Sequence, residues 1–210
     1  MKKRIIRIAS LALVILGMVS CSDEQETALR PQDAKSIPMT FLVSHPGQAS
    51  RATETNFEKN DKIGLYVADA KAQLEIGGNL VNNEALTYDG SKWTAARALY
   101  WDKGTYTAYA YYPYIENVSS ITDQSFSVAL DQRVAKTATS LGGYEASDLL
   151  FATSKNISAS ASPINLTFKH IMSKLKIRLV KGEDFEGEMP ATADVYIHNT
   201  VPTATVDLQA

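Results

Sequence analysis

Apolar and polar residues alternate with a period of two along most of the chain, the pattern of strands that bury one face. Ile37, Met39, Phe41 and Val43 alternate with Pro38, Thr40, Leu42 and Ser44, which predicts a half-buried strand near the start. A second strand is predicted at Ile63–Val67, after the turn pair Asn60-Asp61. Asp89-Gly90-Ser91 separates Leu86-Thr87-Tyr88 from Lys92-Trp93-Thr94, and Asp-Gly between two β-prone runs predicts a hairpin because the turn needs positive φ. Asp102-Lys103-Gly104 makes the next turn and feeds a tyrosine-rich strand that Pro113 ends. Ser125–Leu130, Asp148–Thr153, Val195–Ile197 and Thr205–Leu208 are further strands. The longest runs from Leu166 to Val180, with Leu175, Ile177 and Leu179 on one face and Lys174, Lys176 and Arg178 on the other. Its phase slips between Phe168 and Leu175, which predicts a bulge or bend near Ser173. Arg133–Leu141 is the one fair place for a short helix. Many short strands divided by turn residues predict an all-β antiparallel sandwich or barrel.

The first twenty residues break this pattern. Lys2, Lys3 and Arg4 precede an apolar stretch from about Ile8 to Val19, too short for a membrane span and closed by small residues, which fits a secretory signal. Cys21 follows directly and is the single cysteine, so no internal disulfide can form. The site resembles the lipobox of a bacterial lipoprotein, although Met18 stands where leucine is commonest, and Cys21 reads as the lipidated residue. Ser22-Asp23-Glu24-Gln25-Glu26 resembles the acidic signal that carries some lipoproteins to the outer face of the outer membrane; a plain solvated tether is the alternative. The expected organisation is a signal peptide over 1–20, a lipidated terminus and flexible linker over 21–36, and a β domain over 37–200. Residues 201–210 would open a linker or a truncated second domain. The formal net charge of −2 and the lack of a long basic run argue against a nucleic-acid surface.

Chemistry is sparse. His45, His170 and His198 have no partners at metal-ligand spacing, so no metal site is expected. No nucleophile elbow or phosphate loop is present, and no cofactor is implied. Glu145 with Asp148, and Glu183 with Asp184, are carboxylate pairs in polar loops, where solvated charge is the simpler reading than acid–base work on a sugar. No catalytic residue is therefore assigned. Asn-x-Ser/Thr sequons at Asn117, Asn156 and Asn165 read as coincidence. Residues 99–114 hold six of the ten tyrosines and one of the two tryptophans. On a strand, Tyr106, Ala108, Ala110 and Tyr112 share one face, and Thr105, Thr107, Tyr109 and Tyr111 the other. Rings on both faces suit a strand between a core and a covering layer better than a ligand platform. Exposure of Trp93, Trp101 or Tyr114 in one row would favour glycan binding instead.

Placed in order, these stretches resemble fimbrillins of the Mfa-like family, which are lipoprotein pilus subunits and related surface proteins of Gram-negative anaerobes. The elements are Arg51-Ala52-Thr53, Phe57 with Asp61–Tyr66, Tyr88-Asp89-Gly90 with Trp93, Leu99-Tyr100-Trp101, Ala110–Tyr114, Ser147–Leu150 and Leu166–Leu175. The resemblance implies a transthyretin-like antiparallel β-sandwich followed by a second domain, here largely missing. It also implies cleavage by a trypsin-like protease after an arginine near the first strand. Arg51 and Ala52 would flank that cut, and Ile37, Met39, Phe41 and Val43 would form the removable strand. The vacated groove would take a strand from another subunit, with adhesion as the result. The expected place is the outer membrane surface or the fimbrium; host or bacterial surface ligands stay open. A non-polymerising surface lipoprotein that binds glycans is the second reading.

Overall fold

The structure, a computed structural model, describes residues 37–47 and 56–209. Cys21, Arg51 and Ala52 lie outside the described residues. Ten strands and one helix follow in the order β1 Phe41–Ser44, β2 Lys62–Asp69, β3 Val81–Tyr88, β4 Trp93–Ala95, β5 Thr105–Tyr112, β6 Gln124–Ser127, α1 Gly143–Ser147, β7 Leu150–Ser158, β8 Ile164–Thr167, β9 Lys169–His170 and β10 Thr203–Val206. A six-stranded antiparallel sheet, β4-β3-β2-β5-β7-β9, forms the body. Two short pairs accompany it, β1 with β8 and β6 with β10. The all-β expectation holds, with one exception to antiparallel pairing: β1 runs parallel to β8, Phe41 opposite Ile164 and Ser44 opposite Thr167.

The tyrosine strand β5 lies at the centre of the sheet, and both its faces are buried. Tyr106, Ala108, Ala110 and Tyr112 face the larger core with Ile63, Leu65, Trp93, Trp101, Leu150 and Phe168. Tyr109 and Tyr111 face a second cluster with Tyr66, Leu74, Ile121 and Leu208. The β5 rings therefore pack within the sheet's two cores. Burying a ring of this size contributes on the order of 2–3 kcal/mol.

Local chemistry sets the turns as the sequence suggests. Gly90 has φ +104, and Asp89 Oδ1 accepts the backbone N–H groups of Ser91 and Lys92 at 2.8 and 2.9 Å, closing the β3–β4 hairpin. Asn60 takes φ +76 before β2, a conformation asparagine tolerates better than most residues. Pro113 ends β5 through a cis peptide bond.

Several expectations fail. Arg133–Leu141 forms no helix; the helix is α1. Asp131 Oδ1 takes the Arg133 N–H at 2.9 Å, and Thr137 Oγ1 takes that of Ser140 at 3.0 Å, so side chains hold this stretch in turns that compete with a helical ladder. Gly143 opens α1 where no side chain fits, since a Cβ there would collide with the Asp131 carbonyl. The long strand Leu166–Val180 breaks at Phe168, where the chain passes from the β1 partner to the β7 partner, and pairing ends at His170. The phase slip marks this crossover rather than a bulge near Ser173. Val195–Ile197 is likewise no strand, because no neighbouring backbone pairs with it. Residues 203–206 pair with β6, and Leu208 is buried with its N–H on the Ile121 carbonyl at 2.8 Å. This segment packs onto the rest of the described residues.

Candidate functional site

The segment Ile37–Ser44 sits between two neighbours. The Met39 N–H donates to the Leu99 carbonyl at 2.8 Å, and the Trp101 N–H donates to the Ile37 carbonyl at 3.0 Å. On the other side, the Ile164 N–H meets the Thr40 carbonyl at 2.8 Å and the Phe168 N–H meets that of Ser44 at 3.0 Å. The predicted alternation is realised: Met39 is a core residue, and Ile37, Phe41 and Val43 pack against the same core. Leu42 faces solvent at 57% exposure. The facing wall includes Leu99, Trp101, Ile164, Leu166 and Phe168.

Phe57 anchors the chain just beyond this segment. Its ring meets His45, Trp93, Tyr112 and Phe168 edge-on, with centroids 4.9–5.5 Å apart. His45 also packs at 5.9 Å against His170. The stretch containing Arg51 and Ala52 thus begins and ends at positions held against the same end of the core. An isolated apolar residue among polar neighbours is the signal in the sequence that marks Phe57 as this anchor.

A polar cluster lies beside the anchor. Asp61 is 3% exposed, accepts the Glu58 N–H at 2.7 Å and pairs with Lys136 Nζ at 2.6 Å. Lys136 also reaches Glu58 at 3.0 Å. Burial alone would lower the Lys136 pKa, but the bonds and charges of Asp61 and Glu58 outweigh it and raise the value. Tyr112 is raised by burial first, then by the carboxylates of Asp61, Glu145, Asp148 and Glu58. These groups line a cavity of about 40 Å³, water-sized rather than substrate-sized. Asp148 departs from the reading of a solvated loop charge, since it lies 2.8 Å from His170 Nδ1 and both are largely buried. His198 is exposed. Among the described residues no group of three or more His, Cys, Asp or Glu side chains converges as metal ligands would.

Lys136 has a structural role that a substitution tests. Lys136→Met is expected to cost about 3 kcal/mol in chemical denaturation at neutral pH, because it strands a buried carboxylate. Most of that loss should return in Lys136→Met/Asp61→Asn. A double variant no more stable than the single one would mean that the pair is not what holds this corner.

The row of aromatics that glycan binding requires is not displayed. Trp93 and Trp101 are 8% and 1% exposed, and Trp93 stacks on Tyr88 with centroids 5.1 Å apart.

The chain is similar in sequence to known proteins. The profile of a family described as fimbrillin-like matches residues 50–210. A protein of Bacteroides ovatus, assigned as the fimbrium tip subunit Fim1C, is 30% identical over 129 residues. The match covers 57% of this chain and 23% of that relative, so the chain spans about a quarter of the relative's length. Among solved structures, a fimbrial protein of Bacteroides ovatus shares 23% identity over 64% of this chain and 28% of its own, with a TM-score of 0.39. A cell adhesion protein of Bacteroides uniformis shares 19% identity over 67% of this chain and 49% of its own, with a TM-score of 0.45. The family match extends from the stretch before Phe57 through the whole sheet to the last residue, and on that basis this chain belongs to the fimbrillin-like family.

Proposed function

We propose that the chain is a structural or accessory subunit of a cell-surface fimbria, exported as a lipoprotein through Cys21 and assembled by strand exchange at the groove that Ile37–Ser44 fills. The observation that carries the reading is the two-sided pairing of this segment, with four alternate apolar side chains turned to the core, in a chain of the fimbrillin-like family. Withdrawing the segment would bare an apolar groove and the backbone groups of Leu99–Trp101 and β8. An incoming strand of the same alternation would satisfy both.

Arg51 lies between the held positions His45 and Phe57, which suits a cut that leaves both ends in place. Cleavage there removes the covalent link but none of the hydrogen bonds or apolar contacts of Ile37–Ser44. Release then needs a competing strand, which makes exchange a displacement rather than a spontaneous loss. The reading assigns no catalysis to the chain, and its partners are other fimbrial subunits, the outer membrane and surface ligands met in adhesion.

The test is intact-mass and N-terminal analysis of protein from native outer membranes and from sheared surface material. A species beginning at Ala52 within high-mass sheared assemblies is the expected result. Protein found only in membranes and still beginning at acylated Cys21 would sink strand exchange and leave a non-polymerising surface lipoprotein.

A further inference from the structure

Residues 171–202 contain no strand, although part of this stretch has the clearest alternation in the chain. Leu175, Ile177 and Leu179 are 67%, 49% and 55% exposed, and Lys174, Lys176 and Arg178 stand between them. A turn follows, closed by the Phe185 N–H on the Gly182 carbonyl at 3.2 Å. The next run repeats the pattern with the opposite charge: exposed Phe185 and Met189 alternate with Asp184, Glu186 and Glu188. Two period-two runs therefore lie in water, alike in their apolar positions and opposite in sign at their polar ones. A strand with a wet apolar face and unpaired backbone groups is a template for another strand.

We propose that these two runs form a self-association surface whose occupant is a second copy of this chain. The basic run of one copy pairs antiparallel with the acidic run of the other, and the twofold repeats the arrangement. In the matching register Lys176 faces Glu186 and Arg178 faces Asp184, which leaves Leu175 and Ile177 opposite Gly187 and Phe185 on the other face. Charge selects this partner. Pairing the basic run with its own copy would set lysine and arginine against lysine and arginine, which like-charge repulsion disfavours. Folding the two runs together within one copy gives a lone two-stranded ladder, marginal in water, whose apolar face stays exposed. A second copy supplies two ladders and lets their apolar faces cover each other. This surface is separate from the Ile37–Ser44 groove, and the inference does not depend on strand exchange there.

Sedimentation of the full chain at low and high salt tests it. The wild type is expected to dimerise at low salt and to dissociate at least in part at high salt, as a charge-matched exposed interface should. Lys176→Glu/Arg178→Glu and Asp184→Lys/Glu186→Lys should each be monomeric, because each sets like charges opposite one another at both pairs. Lys174 is left intact, since its Nζ bonds Tyr144 Oη at 2.8 Å on the body. Mixing the two variants should restore a one-to-one heterodimer. A wild type that stays monomeric at low salt would overturn the proposal and assign the surface to another polypeptide. A dimer untouched by either variant, or a mixture that stays monomeric, would overturn it equally.

Discussion

Gly64→Ala is expected to destabilise the domain by about 3 kcal/mol, a large effect for one added methyl group. Gly64 lies opposite Tyr111 across the β2–β5 ladder, and a Cβ at that position would enter the Tyr111 ring. The ring cannot swing aside cheaply. Tyr111 is 1% exposed, its Oη lies 2.6 Å from Asn83 Oδ1 and 3.1 Å from the Ile115 carbonyl, and the Asn83 amide is bound to the carbonyls of Ile115 and Glu116. Moving the ring would break these bonds and open the second core cluster. A double-mutant cycle gives the sharper test. Tyr111→Ala alone should also be costly, on the order of 3–5 kcal/mol for a buried aromatic. In that background Gly64→Ala should be close to neutral, because the ring it collides with is gone. Additive costs would mean that Gly64 matters for its backbone alone.

Alkali should unfold the protein cooperatively at about pH 11–12, before the phenols of Tyr111 and Tyr112 would titrate in the native state. Tyr66 is fully buried, its hydroxyl has no hydrogen-bond partner, and burial, followed by the nearby Tyr114, pushes its pKa up to about 12. Tyr111 and Tyr112 are raised as well, each chiefly by burial. An unfolded tyrosine ionises near pH 10. Between that value and the native one, the unfolded state has lost a proton that the native state keeps, so stability falls as pH rises. Below about pH 10 these groups leave stability unchanged. Each contributes a slope of about 1.4 kcal/mol per pH unit, and the three together about 4. The measurement is tyrosinate absorbance followed alongside near-ultraviolet circular dichroism. The last part of the tyrosinate rise should coincide with the loss of dichroism, and Tyr66→Phe should move that step to higher pH with little loss at pH 7, since the deleted hydroxyl has no partner to abandon. Ionisation of all ten tyrosines with the dichroism intact would contradict the buried placement of these rings.

The two experiments probe opposite faces of one decision, which is how β5 can be tyrosine-rich on both sides. Tyr106 and Tyr112 enter the large core, while Tyr109 and Tyr111 enter the smaller one, and small residues make the room. Ala108 and Ala110 lie between the rings on one face, and Gly64 lies beneath Tyr111 on the other. The alternation of β5 was readable because successive side chains point to opposite sides of any strand. From the sequence, Gly64 reads only as one residue of the strand Ile63–Val67. Its role depends on which residue faces it from a strand some forty-five positions later, and nothing local encodes that.

The candidate site divides in the same way. That Ile37, Met39, Phe41 and Val43 would turn inward followed from their spacing. That this segment would run parallel to β8, with Leu99–Trp101 along its other edge, did not follow from it. Asp61 was visible as a turn residue before β2, but its pairing with Lys136 joins two turns far apart in the chain. The Lys174–Val180 run shows the limit most plainly. Its period is as regular as that of any strand in the sheet, yet it forms no strand, because a strand exists only where a neighbouring backbone accepts and donates its hydrogen bonds.

By itself, then, the sequence determined the side-chain faces, the glycine and asparagine turns, the all-β class and the order of elements that resembles fimbrillins. The first three rest on short-range stereochemistry: alternation of Cβ atoms along an extended chain, and the few residues that tolerate positive φ. The tertiary structure alone decided which strand lies beside which, where the long alternating run is interrupted, and which polar groups meet at the end of the first strand. Backbone donors and acceptors are chemically the same along every strand, so choosing among partners falls to the packing of residues distant in the chain.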